Sequence, residues 1–203
     1  AVDPQSVGKE WPGRDFDFAW YQGMKIALFD VTDVSAPKML FKEVIGDRGT
    51  ESELLQNHKA LLYDKSRGLF AFPVTVHEIK PEIKAKSGSY TGSTYGEAVF
   101  QGAYIYTLDL ENGFQLKGKV THYEGALPKR CYPDPGFEGE LEQCYFEPHT
   151  ADIIHRIVYI GDYLYTISLG KLKALKREDI SQVQALVLPT GIDIPGLLDD
   201  LLP

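Results

Sequence analysis

The chain has 203 residues, 43% hydrophobic and 25% charged, the proportions of a soluble globular protein, and its length fits one all-β domain or two small ones. Its formal net charge of −8 argues against nucleic acid or an anionic membrane surface as partner. The charge is compatible with cation binding, but a solvated acidic surface is the plainer reading. No apolar run reaches the ~18 residues of a spanning helix. No signal peptide is legible at Ala1, so one is expected upstream or already removed.

Residues 1–13 are polar, with Pro4 and Pro12, and read as a linker or tail. Residues 14–21 alternate through Phe16, Phe18 and Trp20, the period of a short strand. Strands are expected at 24–31 and 38–45 around a turn at 32–37. A polar segment, 46–57, leads to strands at 58–63 and 69–76, joined by a turn at 64–68. A Gly/Ser/Tyr-rich loop over 77–99 follows, then strands 100–109 and 114–123. Segment 124–152 is polar, Pro/Gly-rich and irregular. Strands close the pattern at 153–160, 163–169, 171–176 and 182–188. The tail 189–203 carries Leu197, Leu198, Leu201 and Leu202 on one face of a short helix.

The order of these segments repeats. Gln22-Gly23-Met24-Lys25-Ile26-Ala27-Leu28-Phe29-Asp30-Val31 aligns with Gln101-Gly102-Ala103-Tyr104-Ile105-Tyr106-Thr107-Leu108-Asp109-Leu110. Lys171-Leu172 with Glu178-Asp179-Ile180-Ser181 is a weaker third copy, and 58–76 matches 153–169. The repeating unit is four antiparallel strands, a to d, with short turns. Such units are propeller blades. The fold class is therefore an all-β, partial β-propeller of about two and a half blades over 14–188, with 124–152 as an insertion. A closed ring takes about four to eight blades, so the chain is expected to be completed by remaining blades or by other copies of itself.

The stretches GMKIALFDVTDVSAP, VIGDRGTESELLQNHKALLYDKSRGLFAFPV, FQGAYIYTLDLENGFQLKGKVTHY and IGDYLYTISLGKLKAL resemble the C-terminal part of the secreted bacterial and archaeal β-propeller-domain proteins, distant relatives of WD40 propellers. The resemblance runs from about Trp20 to Leu188 and departs over 124–152. It implies a secreted propeller and no particular reaction. The turn FDVTDVSAP is also similar to LVIVD-type repeats of extracellular bacterial proteins.

Gly46-Asp47-Arg48-Gly49-Thr50, with Ser52, His58 and Lys59, is the most distinctive polar cluster. As a ligand site it would use Arg48 as an anion fork. The stronger reading is an internal lock, in which a carboxylate such as Asp47 pairs with Arg48 and His58 hydrogen-bonds across a blade. Asp30, Asp33, Asp109, Glu111 and Asn112 offer oxygens to Ca²⁺, but turn chemistry explains them better, and no other cofactor is implied. Asp134, Glu138, Glu140 and Glu142 include enough carboxylates for an acid/base pair, yet read more simply as solvated loop residues, or as part of a partner site. Gly88, Gly92 and Gly96 lack the GK[ST] of a phosphate loop. The five histidines show no metal spacing, and no GxSxG elbow is present.

Cys131 and Cys144 are expected to form a local disulfide, which implies an oxidising, extracytoplasmic compartment. Two free thiols in a cytosolic protein are the alternative. The function expected from all this is a non-catalytic extracellular module, secreted or at the cell surface, with a protein or cell-surface partner. The competing expectation is an extracellular hydrolase or lyase whose site is completed by blades absent from this chain. The long connections 46–57, 77–99 and 124–152 are expected to share one face, opposite the short turns, with the tight connection near Gly170 as the exception on that face.

Overall fold

A computed structural model of the chain describes residues 20–85, 93–133 and 142–189. The linker 1–13, most of the strand expected at 14–21 and the helix expected in 189–203 lie outside these residues. Strands β1 (Met24–Asp30) and β2 (Lys38–Ile45) form an antiparallel pair with Met24 opposite Ile45. They supply the outer half of a blade. β3 (Leu62–Asp64), β4 (Leu69–Glu78), β5 (Glu97–Asp109) and β6 (Gly113–Val120) form a complete sheet in sequence order. Inside the expected insertion, β7 (Lys129–Pro133) and β8 (Glu142–Phe146) make a two-stranded ribbon. β9 (Arg156–Ile160), β10 (Tyr163–Ile167), β11 (Lys171–Lys176) and β12 (Gln182–Val187) form the second complete sheet, again in sequence order.

Two expectations about residues 58–99 need correction. Residues 58–63 are not one strand. His58–Ala60 is a 3-10 turn, because the Asn57 side chain accepts the Lys59 N–H at 3.1 Å and starts a helical bend. Only Leu62–Asp64 remains for β3. The loop 77–99 is also shorter than expected, since β4 and β5 extend to Glu78 and back to Glu97, and a single helical turn, α1 (Pro81–Ala85), sits between them.

The core explains the order of the sheets. Side chains alternate along a strand, so successive residues face opposite sides. On β4 and β5 both sides are buried. Phe72, Val74, Val76, Tyr104 and Tyr106 pack with Met24, Ile26 and Ile45 of the half blade. Leu69, Ala71, Ala103 and Ile105 pack with Ile154, Ile157, Leu164 and Leu175 of the last blade. Polar ties accompany both interfaces. The Tyr106 hydroxyl donates to Glu43 at 2.9 Å. Arg67, paired with Asp64 at 2.5 Å, lies over the Tyr159 ring at 5.0 Å. The last blade buries only its inner side. Its outer side exposes Val158, Ile160, Tyr163 and Leu186, the last at 53%.

Phe72 is fully buried between blades and stacks on Tyr106 at 6.0 Å. Phe72→Ala is expected to cost about 3–5 kcal/mol of stability in urea unfolding. Val44→Ala, on the exposed side of β2, should stay within about 0.5 kcal/mol.

Candidate functional site

The cluster that begins at Gly46 is a lock, with partners other than those expected. Gly46 has φ +63°, and a Cβ there would lie 2.2 Å from Thr50 Oγ1 and 2.8 Å from the His77 carbonyl. Glycine therefore lets the chain leave β2 and press against the end of β4. The Asp47 N–H donates to the His77 carbonyl at 2.7 Å, and Asp47 Oδ2 accepts the Ile79 N–H at 2.7 Å. Thr50 Oγ1 accepts the His77 N–H at 2.9 Å and donates to the His77 carbonyl at 3.2 Å. Glu51 and Thr75 form an antiparallel bridge. Ser52 is buried, donates to the Pro73 carbonyl and accepts the Leu54 N–H at 3.2 Å.

Asp47 does not pair with Arg48; it takes Lys84, whose ammonium lies 2.9 Å from Oδ1. Arg48 instead stacks between Trp20 and Tyr95, 4.2 and 4.3 Å from the ring centroids, and donates to the Tyr95 hydroxyl at 3.1 Å. A planar, weakly hydrated guanidinium suits that slot. Its carbonyl accepts the Gly96 N–H at 2.8 Å, which ties loop 46–57 to the far end of loop 77–99. His58 is exposed on the 3-10 turn, outside this network. Asp30, Asp33 and Asp109 use a carboxylate oxygen to accept N–H groups in their own turns, from Thr32, Ser35 and Glu111.

The three long connections meet. They line one cleft of about 1330 Å³, reached by Glu51, Glu53 and Leu55 from the first, by His77–Lys80, Ile83 and 93–98 from the second, and by 144–146 and Pro148 from the third, with 153–155 just after it. Glu97 holds Lys80 at 2.6 Å and Lys129 at 3.8 Å, linking β5 to the ribbon. The ribbon is pinned by the Cys131–Cys144 disulfide, which joins directly opposed residues of β7 and β8, and Phe146 packs edge-on against Tyr123. Burial lowers the His77 pKa against the opposing pull of Glu51, and it lowers that of His155 against Glu53. Both imidazoles are therefore neutral at pH 7.

Of the residues singled out in the sequence, Ser52 lines this cleft, Asp47 and Arg48 brace its back, and His58 stands apart. Of Glu142 only the backbone, in β8, is described; Asp134, Glu138, Glu140, Gly88 and Gly92 lie outside the described residues. Gln101 was not singled out. It is 2% exposed and lines the cleft, and its Oε1 accepts the Ile154 N–H at 3.4 Å. Its sequence signal is a polar side chain opening an apolar run, at the position where Gln22 opens the first repeat.

A second polar centre joins the two complete blades. His122 is fully buried, with Nδ1 2.8 Å from Ser168 Oγ and Nε2 2.8 Å from Thr166 Oγ1. Lys171 and Lys173 cap the carbonyls of His122 and Thr121, each at 2.8 Å. A serine beside a histidine invites comparison with a nucleophile and its base. Here both are enclosed, and the second imidazole nitrogen meets a hydroxyl where an orienting carboxylate would sit in a triad. Burial, helped by Lys173 and Lys171, pushes the His122 pKa down to about 4. The pair is an interblade tie.

Four-stranded antiparallel sheets in sequence order, packed face to face, define a β-propeller protein. A β-propeller domain family model matches residues 5–180, and the chain belongs to that family. No curated protein and no solved structure matches the chain.

The His122 tie makes stability depend on pH. The unfolded imidazole protonates near its ordinary value of 6.5, the folded one near 4. Stability carried by neutral His122 is thus complete above about pH 6.5 and is lost as pH falls toward 4. The full loss is roughly 3 kcal/mol. Urea titrations across this range should show a smaller slope for His122→Gln than for the parent chain. His77 and His155, also depressed by burial, leave a residual slope of the same sign.

Proposed function

We propose that the chain is a non-catalytic, extracellular β-propeller module that binds a protein or cell-surface partner through its long-loop face. The observation that carries this reading is the convergence of the three long connections on one cleft. Other connections are tight: 110–113, 161–162 and 177–181 each join neighbouring strands directly. Long loops held by a rigid scaffold are where binding usually resides. The Cys131–Cys144 disulfide supports an oxidising, extracellular location. The apolar outer side of the last blade, with Val158, Ile160 and Leu186 exposed, supports a further blade or another copy of the chain as a structural partner.

The competing reading, a hydrolase or lyase, gains nothing from the Ser168–His122 pair, which has no route to a substrate while buried.

A photoreactive benzoylphenylalanine at Leu55, on the cleft, can be compared with one at Leu110, on a short turn; both side chains are well exposed. Irradiation with the washed envelope fraction of producing cells should give adducts from position 55 only. Adducts from position 110 only would contradict the reading.

A further inference from the structure

The geometry points to the ligand class of the cleft: an extended polypeptide segment that carries a lysine or arginine beside an apolar residue. This rests on the long-loop face being the binding face. Four carboxylates line the cleft, Glu51, Glu53, Glu78 and Glu97, against one ammonium, Lys80. Lys80 is already held by Glu97 at 2.6 Å. Glu51, Glu53 and Glu78 are left without a basic partner among the described residues. The two histidines do not compensate, because burial holds both neutral.

A second, independent observation concerns the floor. Gln101 is 2% exposed, and among the described residues its Oε1 contact with the Ile154 N–H is the hydrogen bond its side chain makes. The amide NH₂ has no protein acceptor among the described residues and can donate to a ligand in the cleft that Gln101 lines. A main-chain carbonyl is a suitable acceptor. Apolar lining from Leu55, Ile79, Ile83 and Ile153 offers a wall for an aliphatic side chain. A carbonyl, a cation and an apolar group, spaced along one ligand, are the elements of a basic peptide.

A neutral glycan fits less well. It would leave the three carboxylates without counter-charge.

The test is selection of a random hexapeptide phage library on the folded chain, repeated on two variants that keep the parent's cooperative unfolding. One is the triple change Glu51→Gln, Glu53→Gln and Glu78→Gln. The other is Ile83→Asp. Enrichment of lysine- and arginine-bearing peptides is expected, with binding of a selected peptide weakened about tenfold or more in the triple variant and lowered by added salt. Enrichment of neutral or acidic peptides that Ile83→Asp blocks would overturn the basic-ligand assignment and leave the cleft as the binding face. Peptides unaffected by either variant would overturn both. Absence of enrichment, or glycan-array binding that the triple variant retains, would overturn the peptide assignment.

Discussion

Strands β4 and β5 carry apolar side chains on both of their faces, and the other blade sheets are placed by that fact. Phe72, Val74, Tyr104 and Tyr106 need cover on one side; Leu69, Ala71, Ala103 and Ile105 need it on the other. A half blade and a full blade supply it. The side chains match in size across each interface. Large aromatic rings face the small half blade, while alanines on β4 and β5 let the last blade approach closely. At 25 cal/mol per Å², burial of this kind is the dominant favourable term in such folds. The turns and loops take their places from it.

The polar residues do different work at the two ends of the blades. Within the interfaces His122 is paired with Ser168 and Thr166, and Tyr106 with Glu43. Satisfied buried networks fix register, because any slip leaves a donor or acceptor unpaired in a low dielectric. On the long-loop face the hydrogen bonds of Asp47 and Thr50 fasten loop 46–57 to the end of β4, yet charged groups remain over. Glu51, Glu53 and Glu78 stand around a cleft whose first wall is fastened by these bonds. A scaffold that spends its polar groups on itself inside, and leaves them available at one rim, can bind without rearranging.

Much of the architecture was legible because the strand signal is strict. β2 and β11 match the expected segments residue for residue, and β12 and β1 differ from them by one residue at an end. The repeat around Gln22 and Gln101 supplied the blade order, and the spacing of Cys131 and Cys144 supplied their pairing. Misreadings occurred where local side-chain chemistry overrides periodicity. Asn57 turned an apparent strand into a 3-10 turn, and the hairpin β7–β8 was hidden by the Pro/Gly content between its strands. Pairings across long separations were illegible for a simple reason. Nothing local to Arg48 announces Tyr95, and nothing near Gln101 announces Ile154, since such partners are set by how sheets stack.

The central claim is that the two-sided blade organises the chain. Native-state amide hydrogen exchange tests it most directly. Amides of β4 and β5 should exchange last, at the rate of global unfolding, while those of β1–β2 and of β12, whose residues are all exposed, should exchange earlier by local opening. If β1–β2 or β9–β12 outlast β4 and β5, the sheets are held by something other than the shared central blade, and the account is wrong.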